Sequence, residues 1–209
     1  MTEFLALRLR NALMGALPGE AAQMRMAPKL RQPPGWISDP ARSHPSGVLL
    51  LIFPKGDDWH TVFILRSQGG PHGGQISLPG GRMDQQDQDL KQTALRETME
   101  EVGVMPDEVT VLGQLTPLHV PHSHNMINPF VGMIDHHPQF TPEPSEVQAV
   151  ITVSLSALFN PNNRRMALFS RPGYRIKAPC YQQEGHCIWG ATAMIVSEFE
   201  EIFTSCISG

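Results

Sequence analysis

The sequence predicts a layered α/β (α+β) domain, and three observations carry that expectation. Short apolar segments rich in Val, Ile, Leu and Phe recur at strand length between residues 47 and 153. A few longer segments repeat their apolar residues at helical spacing instead. Hydrophobic residues make up 41% and charged residues 17% of the 209-residue chain, which suits one sizeable core.

Taken in order, residues 3–16 carry apolar positions at Phe4, Leu5, Leu7, Leu9 and Leu13, the pattern of an amphipathic helix. Prolines 28, 33, 34, 40 and 45 make residues 27–47 an extended connector. Residues 1–46 therefore read as an arm packed on the domain or on a second copy, which is compatible with a homodimer, and residues 47–209 as the main domain. Residues 47–53 form a buried strand, and residues 61–65 pair with it through the polar turn at Lys55, Gly56, Asp57 and Asp58. A short strand at residues 75–78 ends at the breaker Pro79-Gly80-Gly81. A helix spans residues 90–101 and stops at Gly103. Strands follow at residues 109–115, 128–134 and 147–153, then one helical turn at residues 155–159 and a final helix at residues 191–203. No internal repeat is present.

Composition excludes several classes. A formal charge of −4 and a pI near 6.1 disfavour a nucleic-acid polymer, and Lys and Arg form no stripe that follows a phosphate backbone. Cys180, Cys187 and Cys206 make no disulfide framework, so a reducing compartment is expected. Arg8 and Arg10 break the apolar N-terminal stretch, unlike a signal peptide, and the longest apolar run, residues 48–53, is too short for a membrane span. The expected setting is cytoplasmic, with no membrane partner.

The chemistry concentrates between Leu78 and Val104. On a helical wheel Leu95, Met99 and Val102 share one face, while Glu97, Glu100 and Glu101 gather on the other. Like charges one turn apart cost about 0.2–0.5 kcal/mol per pair, so a cation is expected to offset them. Oxygen-rich clusters suit hard ions such as Mg²⁺, and Gly80-Gly81 lets a backbone carbonyl come close. Arg96 is placed to clamp a loop carboxylate, either Asp84 or Asp87.

This segment resembles the Nudix box, Gly-x5-Glu-x7-Arg-Glu-aliphatic-x-Glu-Glu-x-Gly-aliphatic. Arg96, Glu97, Glu100, Glu101, Gly103 and Val104 match its second half, with Thr98 in place of an aliphatic residue. The first half is one residue longer, and allowing for that restores Gly81 and leaves Asp84 or Asp87 as its first carboxylate. The resemblance implies an α/β/α sandwich with a mixed β-sheet. It also implies dependence on Mg²⁺ or Mn²⁺ and hydrolysis of a nucleoside diphosphate linked to another moiety. Gly81, Glu97, Glu100 and Glu101 are the implied metal-binding residues. Arg96, Glu97, Glu100, Glu101 and Glu146 are the implied catalytic set, with Glu100 or Glu146 as general base.

His72-x-Gly74-Gln75 before Pro79-Gly80-Gly81, and Trp189-Gly190-x-Thr192-Ala193 near the end, resemble the coenzyme A pyrophosphatase branch over residues 47–200. That branch cleaves coenzyme A into 3′,5′-ADP and 4′-phosphopantetheine, and it implies substrate contacts at Arg66, His72, Gln75 and Gly80. The loop before His72 is one residue shorter than in that branch, and Leu78 stands where it often has Phe. The alternatives are the same chemistry on ADP-ribose, NADH, a dinucleoside polyphosphate or a nucleoside diphosphate sugar, and a non-catalytic nucleotide-binding module. His119, His122 and His124 have loop spacing and read as substrate or surface residues before a zinc site. His186 and Cys187, adjacent on a strand, face opposite ways and make no nucleophile pair. Ser77 lacks the Gly-x-Ser-x-Gly elbow.

Overall fold

The computed structural model describes residues 2–29, 40–68, 73–171 and 174–208. Its centre is β1 (His44–Lys55), whose apolar run is buried on both faces. Leu49, Leu51 and Phe53 point to one core layer, shared with Val62, Ile64, Ala94 and Val102. Leu50 and Ile52 point to the other, shared with Phe63, Val131, Ile195 and Phe199. A fully buried Leu or Phe side chain contributes about 1.5–3 kcal/mol of transfer free energy, so this strand anchors both layers.

Around it, β2 (Asp58–Arg66) pairs antiparallel with β1 through the turn at Gly56, whose φ is 62°. β3 (Ile76–Ser77) pairs antiparallel with β2 at Ile64 and Leu65, on the same side of β2 as β1, and β4 (Gly80–Arg82) pairs antiparallel with β1. Then come α3 (Leu90–Val102), β5 (Thr110–Gln114), β6 (Leu118–Val120), β7 (Asn125–Met133) and β8 (Val147–Ser154). The backbone of the sheet runs β3-β2-β1-β7-β5, with β6 pairing β7 and β8 pairing β2. β1 and β7 are parallel and the other pairs antiparallel, so the sheet is mixed. Helix α3 covers one face. The other is covered by α1 (Thr2–Met14), α2 (Gly19–Met24) and α5 (Gly190–Ser208). After the single turn α4 (Leu155–Leu158), a second antiparallel sheet forms from β9 (Arg164–Arg171), β10 (Tyr174–Gln183) and β11 (His186–Trp189).

The N-terminal helix is bound into the core. Leu5, Leu9 and Leu13 are buried in the layer shared with α5, and Gly113 of β5 leaves the space that Leu13 fills. The connector expected at residues 27–47 already enters β1 at His44, and residues 30–39 lie outside the described part of the chain.

Four expectations need correction. The short strand does stop before Pro79, but Gly80-Gly81 also begins β4, since only a residue without a side chain fits at Gly80 against the Gly47 carbonyl and Val48. The buried face of α3 is Thr93, Ala94, Thr98, Glu101 and Val102, whereas Leu95 and Met99 stay partly exposed. Gly47 brings the helix so near β1 that a Cβ there would overlap the Leu90 carbonyl, which favours small residues at the contact. Thr98 fits because its hydroxyl donates to the Ala94 carbonyl at 2.6 Å. Cys180 and Cys187, read as unpaired thiols, are joined by a disulfide across the β10–β11 hairpin. Finally, α2, β6, β9 and β10 had no counterpart among the expected elements, and α5 extends to Ser208.

Candidate active site

Helix α3 starts where Asp89 accepts the Gln92 amide at 2.7 Å, and it ends at Gly103, whose φ of 77° suits glycine. Between those caps the acidic residues face the β2–β4 corner of the sheet. The ambiguity over the loop carboxylate resolves to Asp87. Arg96 donates from Nε to its Oδ1 and from Nη2 to its Oδ2, both at 2.9 Å. The Thr93 hydroxyl and the Asp84 amide also donate to Asp87, each at 2.9 Å. Asp87 is buried, and the Arg96 hydrogen bonds hold its carboxyl well below the usual carboxylate range. Arg96 also reaches Glu97 at 3.0 Å, Glu100 at 2.8 Å and the Arg82 carbonyl at 3.3 Å, tying loop, strand and helix together.

Glu101 is the deepest acid of the group, 1% exposed. Its Oε2 accepts the Gly80 N–H at 2.8 Å and its Oε1 pairs with Arg66 at 3.1 Å. Burial pushes its pKa up to about 7 despite those two partners, and the charges of Glu97 and Glu146 push the same way. Glu97 lies one turn back, partly buried, with its own pKa raised by burial. Gly81 faces it so closely that a Cβ would overlap the Glu97 carboxyl. Glu100 is half-exposed and turned to Arg96. Glu146 is exposed and acts on Glu97 and Glu101 through charge.

The expected substrate contacts fall on the same edge. The Arg66 amide donates to the Gln75 carbonyl at 3.0 Å, and Gly80 is spent on Glu101. His72 lies outside the described residues. His119 sits on β6, and His124 adopts a left-handed φ of 51°, donating its amide to the Pro121 carbonyl. The His122 side chain is outside the described part. Among the described residues no group of three or more His, Cys, Asp or Glu is arranged to hold a metal ion. At the helix the reason is visible, since Glu100 turns to Arg96 while Glu101 turns to Arg66 and Gly80. The remaining chemistry still fits a hard divalent cation. The donors are oxygens, Gly81 offers close backbone approach, and both Glu97 and Glu101 are buried beyond what their partners offset.

One feature gave little sequence signal. A cavity of about 260 Å³ opens between the β2–β3 edge and the second sheet, lined by Leu65, Gln75, Ile76, Phe169, Cys187 and Trp189, among others. Trp189 stacks on Phe169 with ring centroids 4.0 Å apart. Phe169 stands in a segment without regular alternation, and only strand pairing brings it there.

A NUDIX domain model matches residues 43–175. An uncharacterized Nudix hydrolase, NudL, of Photorhabdus laumondii is 33% identical over 175 residues, covering 83% of this chain and 91% of that protein. The human mitochondrial coenzyme A diphosphatase NUDT8 is 36% identical over 142 residues, covering 66% of this chain and 60% of its own length. A solved Nudix hydrolase from M. smegmatis, RenU, superposes with a TM-score of 0.51 at 15% identity, covering 78% of this chain and 87% of that one, a likeness of fold alone.

Proposed function

The chain belongs to the NUDIX family, and from that membership we propose that this pyrophosphohydrolase acts on coenzyme A or its derivatives, giving 3′,5′-ADP and 4′-phosphopantetheine. The observation that carries the reading is the bond from the Gly80 amide to buried Glu101. It joins the segment resembling the coenzyme A branch, Gly74-Gln75 through Gly81, to the acidic helix as one unit. The identity to a protein named as a coenzyme A diphosphatase supports the same substrate.

Nudix hydrolases generally use divalent metal ions, and the proposed ion is Mg²⁺ or Mn²⁺, held by Glu97, Glu101 and the Gly81 carbonyl with Glu100 as a further ligand. Such an ion lowers the pKa of water and neutralises charge on phosphate oxygens. Arg96 keeps Glu97 and Glu100 oriented from its anchor on Asp87. Arg66 and Gln75 are assigned to the substrate. Glu146 or Glu100 takes the proton as a water oxygen bonds to one phosphorus and the bridging P–O bond breaks. Among the described residues no helix is long and apolar enough to cross a membrane. The proposed setting is cytoplasmic, with a small nucleotide as partner.

The test is a panel of coenzyme A, acyl-coenzyme A, ADP-ribose, NADH and dinucleoside polyphosphates, each with Mg²⁺, with Mn²⁺ and with chelator. Coenzyme A is expected to be cut in the presence of metal, with product masses of 3′,5′-ADP and 4′-phosphopantetheine. Inert coenzyme A beside rapid ADP-ribose cleavage would reject the substrate while leaving the reaction class intact.

A further inference from the structure

We propose that Cys187 and Cys180 form a thiol–disulfide exchange centre for small aliphatic thiols and their disulfides, entered through the cavity beside β3. Cys187 is partly exposed and lines that cavity, while Cys180 is wholly buried behind it. The β10–β11 register pairs Cys180 with Trp189 and Gln182 with Cys187, so both sulfurs lie on the sheet face that carries Trp189. The hairpin does not need the bond. Four backbone pairs from Cys180↔Trp189 to Gln183↔His186 already fix it, and its turn is set by positive φ at Glu184 (45°) and Gly185 (85°). Only seven positions separate the cysteines, and so short a loop gains least from a crosslink. A bond of small structural value, with one sulfur on an open cavity and the other sealed, has the asymmetry of an attacking and a resolving thiol.

The exchange balances without a further reagent. In the dithiol form the Cys187 thiolate attacks one sulfur of a small disulfide R–S–S–R. The Cys187–S–S–R bond forms and RS⁻ leaves to take up a proton. The Cys180 thiol then gives up its proton and attacks the Cys187 sulfur, and the second RSH departs as the Cys180–Cys187 bond closes. The protein loses two electrons, and R–S–S–R is reduced to two thiols. Cys206, buried on α5, takes no part and serves as an internal control.

The experiment treats the reduced full-length protein with glutathione disulfide, quenches with acid and maps the cysteines by peptide mass. In Cys180→Ser, a glutathione adduct is expected to accumulate on Cys187. In the unaltered protein the adduct should be transient and give way to the Cys180–Cys187 bond. Because Cys180 is buried, the variant's thermal melt is compared first. Should it not fold, native iodoacetamide labelling of the reduced unaltered protein decides the matter. There Cys187 should react about tenfold or more faster than Cys180 and Cys206, as the partly exposed thiol. The emission of Trp189, cross-strand neighbour of Cys180, should change with reduction. Absence of any adduct on Cys187 in folded Cys180→Ser, or labelling of Cys206 at the rate of Cys187, would overturn the proposal.

Discussion

Glu101 on α3 and Glu198 on α5 are both buried carboxylates, 1% and 0% exposed, yet their surroundings differ in kind. Glu198 gathers the Gly19 and Thr116 amides at 3.2 Å, the Thr116 hydroxyl at 2.6 Å and the Gln23 side-chain amide at 2.9 Å. Fixed neutral donors from three residues in two segments surround it, and it pins α2 and the segment after β5 to α5. Glu101 receives one amide and one partly exposed arginine, with Glu97 and Glu146 repelling it nearby. Full satisfaction marks a structural acid, and a deficit of positive charge beside a glycine-lined approach is what the proposed cation would offset.

That contrast breaks most sharply on paired substitutions. Glu101→Gln is expected to lower kcat at saturating Mg²⁺ by on the order of 10²–10³-fold, the loss typical of a removed transition-state contact, with the protein still folded. Glu198→Gln should do the reverse. It sets an amide NH₂ against the Gly19, Thr116 and Gln23 N–H groups, so unfolding in urea should reveal a loss of about 1–3 kcal/mol, with kcat retained. If both variants lost activity with stability intact, the distinction would be wrong. A smaller effect is expected from Gly81→Ala, whose Cβ would displace the Glu97 carboxyl. The metal concentration for half-maximal rate should rise about tenfold, equivalent to about 1.4 kcal/mol, and an unchanged value would separate Glu97 from the ion.

The gentlest probe is pH. Glu101 is pushed from an ordinary 4.5 to about 7 by burial, so the native state holds its proton longer than the unfolded chain. Stability of chelator-treated protein should therefore fall as pH rises from 4.5 to 7 and level off above that. The downward component should be missing in Glu101→Gln. A slope identical in both proteins would remove Glu101 as its source.

How far this could be read in advance depended on whether a feature is local in the chain. The bounds of α3 and its stop at Gly103 were legible from spacing and one glycine, and so were β1, β2 and β8. The Arg96 clamp was legible as a role, but choosing Asp87 over Asp84 required the loop fold that buries one and leaves the other exposed. The buried face of α3 was misjudged because hydropathy favours Leu95 and Met99, while the close approach at Gly47 selects Ala94 and Thr98. β4 was hidden because two glycines read as a break, although their missing side chains let the strand pair with β1. The second sheet carries its apolar and charged residues without clean alternation on β9, and on β10 the alternation over residues 175–178 is short and interrupted by Pro179. Its disulfide and aromatic stack exist only through cross-strand register.

The most direct measurement is the anomalous scattering of a crystal soaked in Mn²⁺. A peak is expected within ligand distance of Glu97, Glu101 and the Gly81 carbonyl, with Arg66 turned away from Glu101. No peak there, or one at His119 and His124 with the Arg66–Glu101 pair intact, would contradict the assignment of this helix as the metal-holding element.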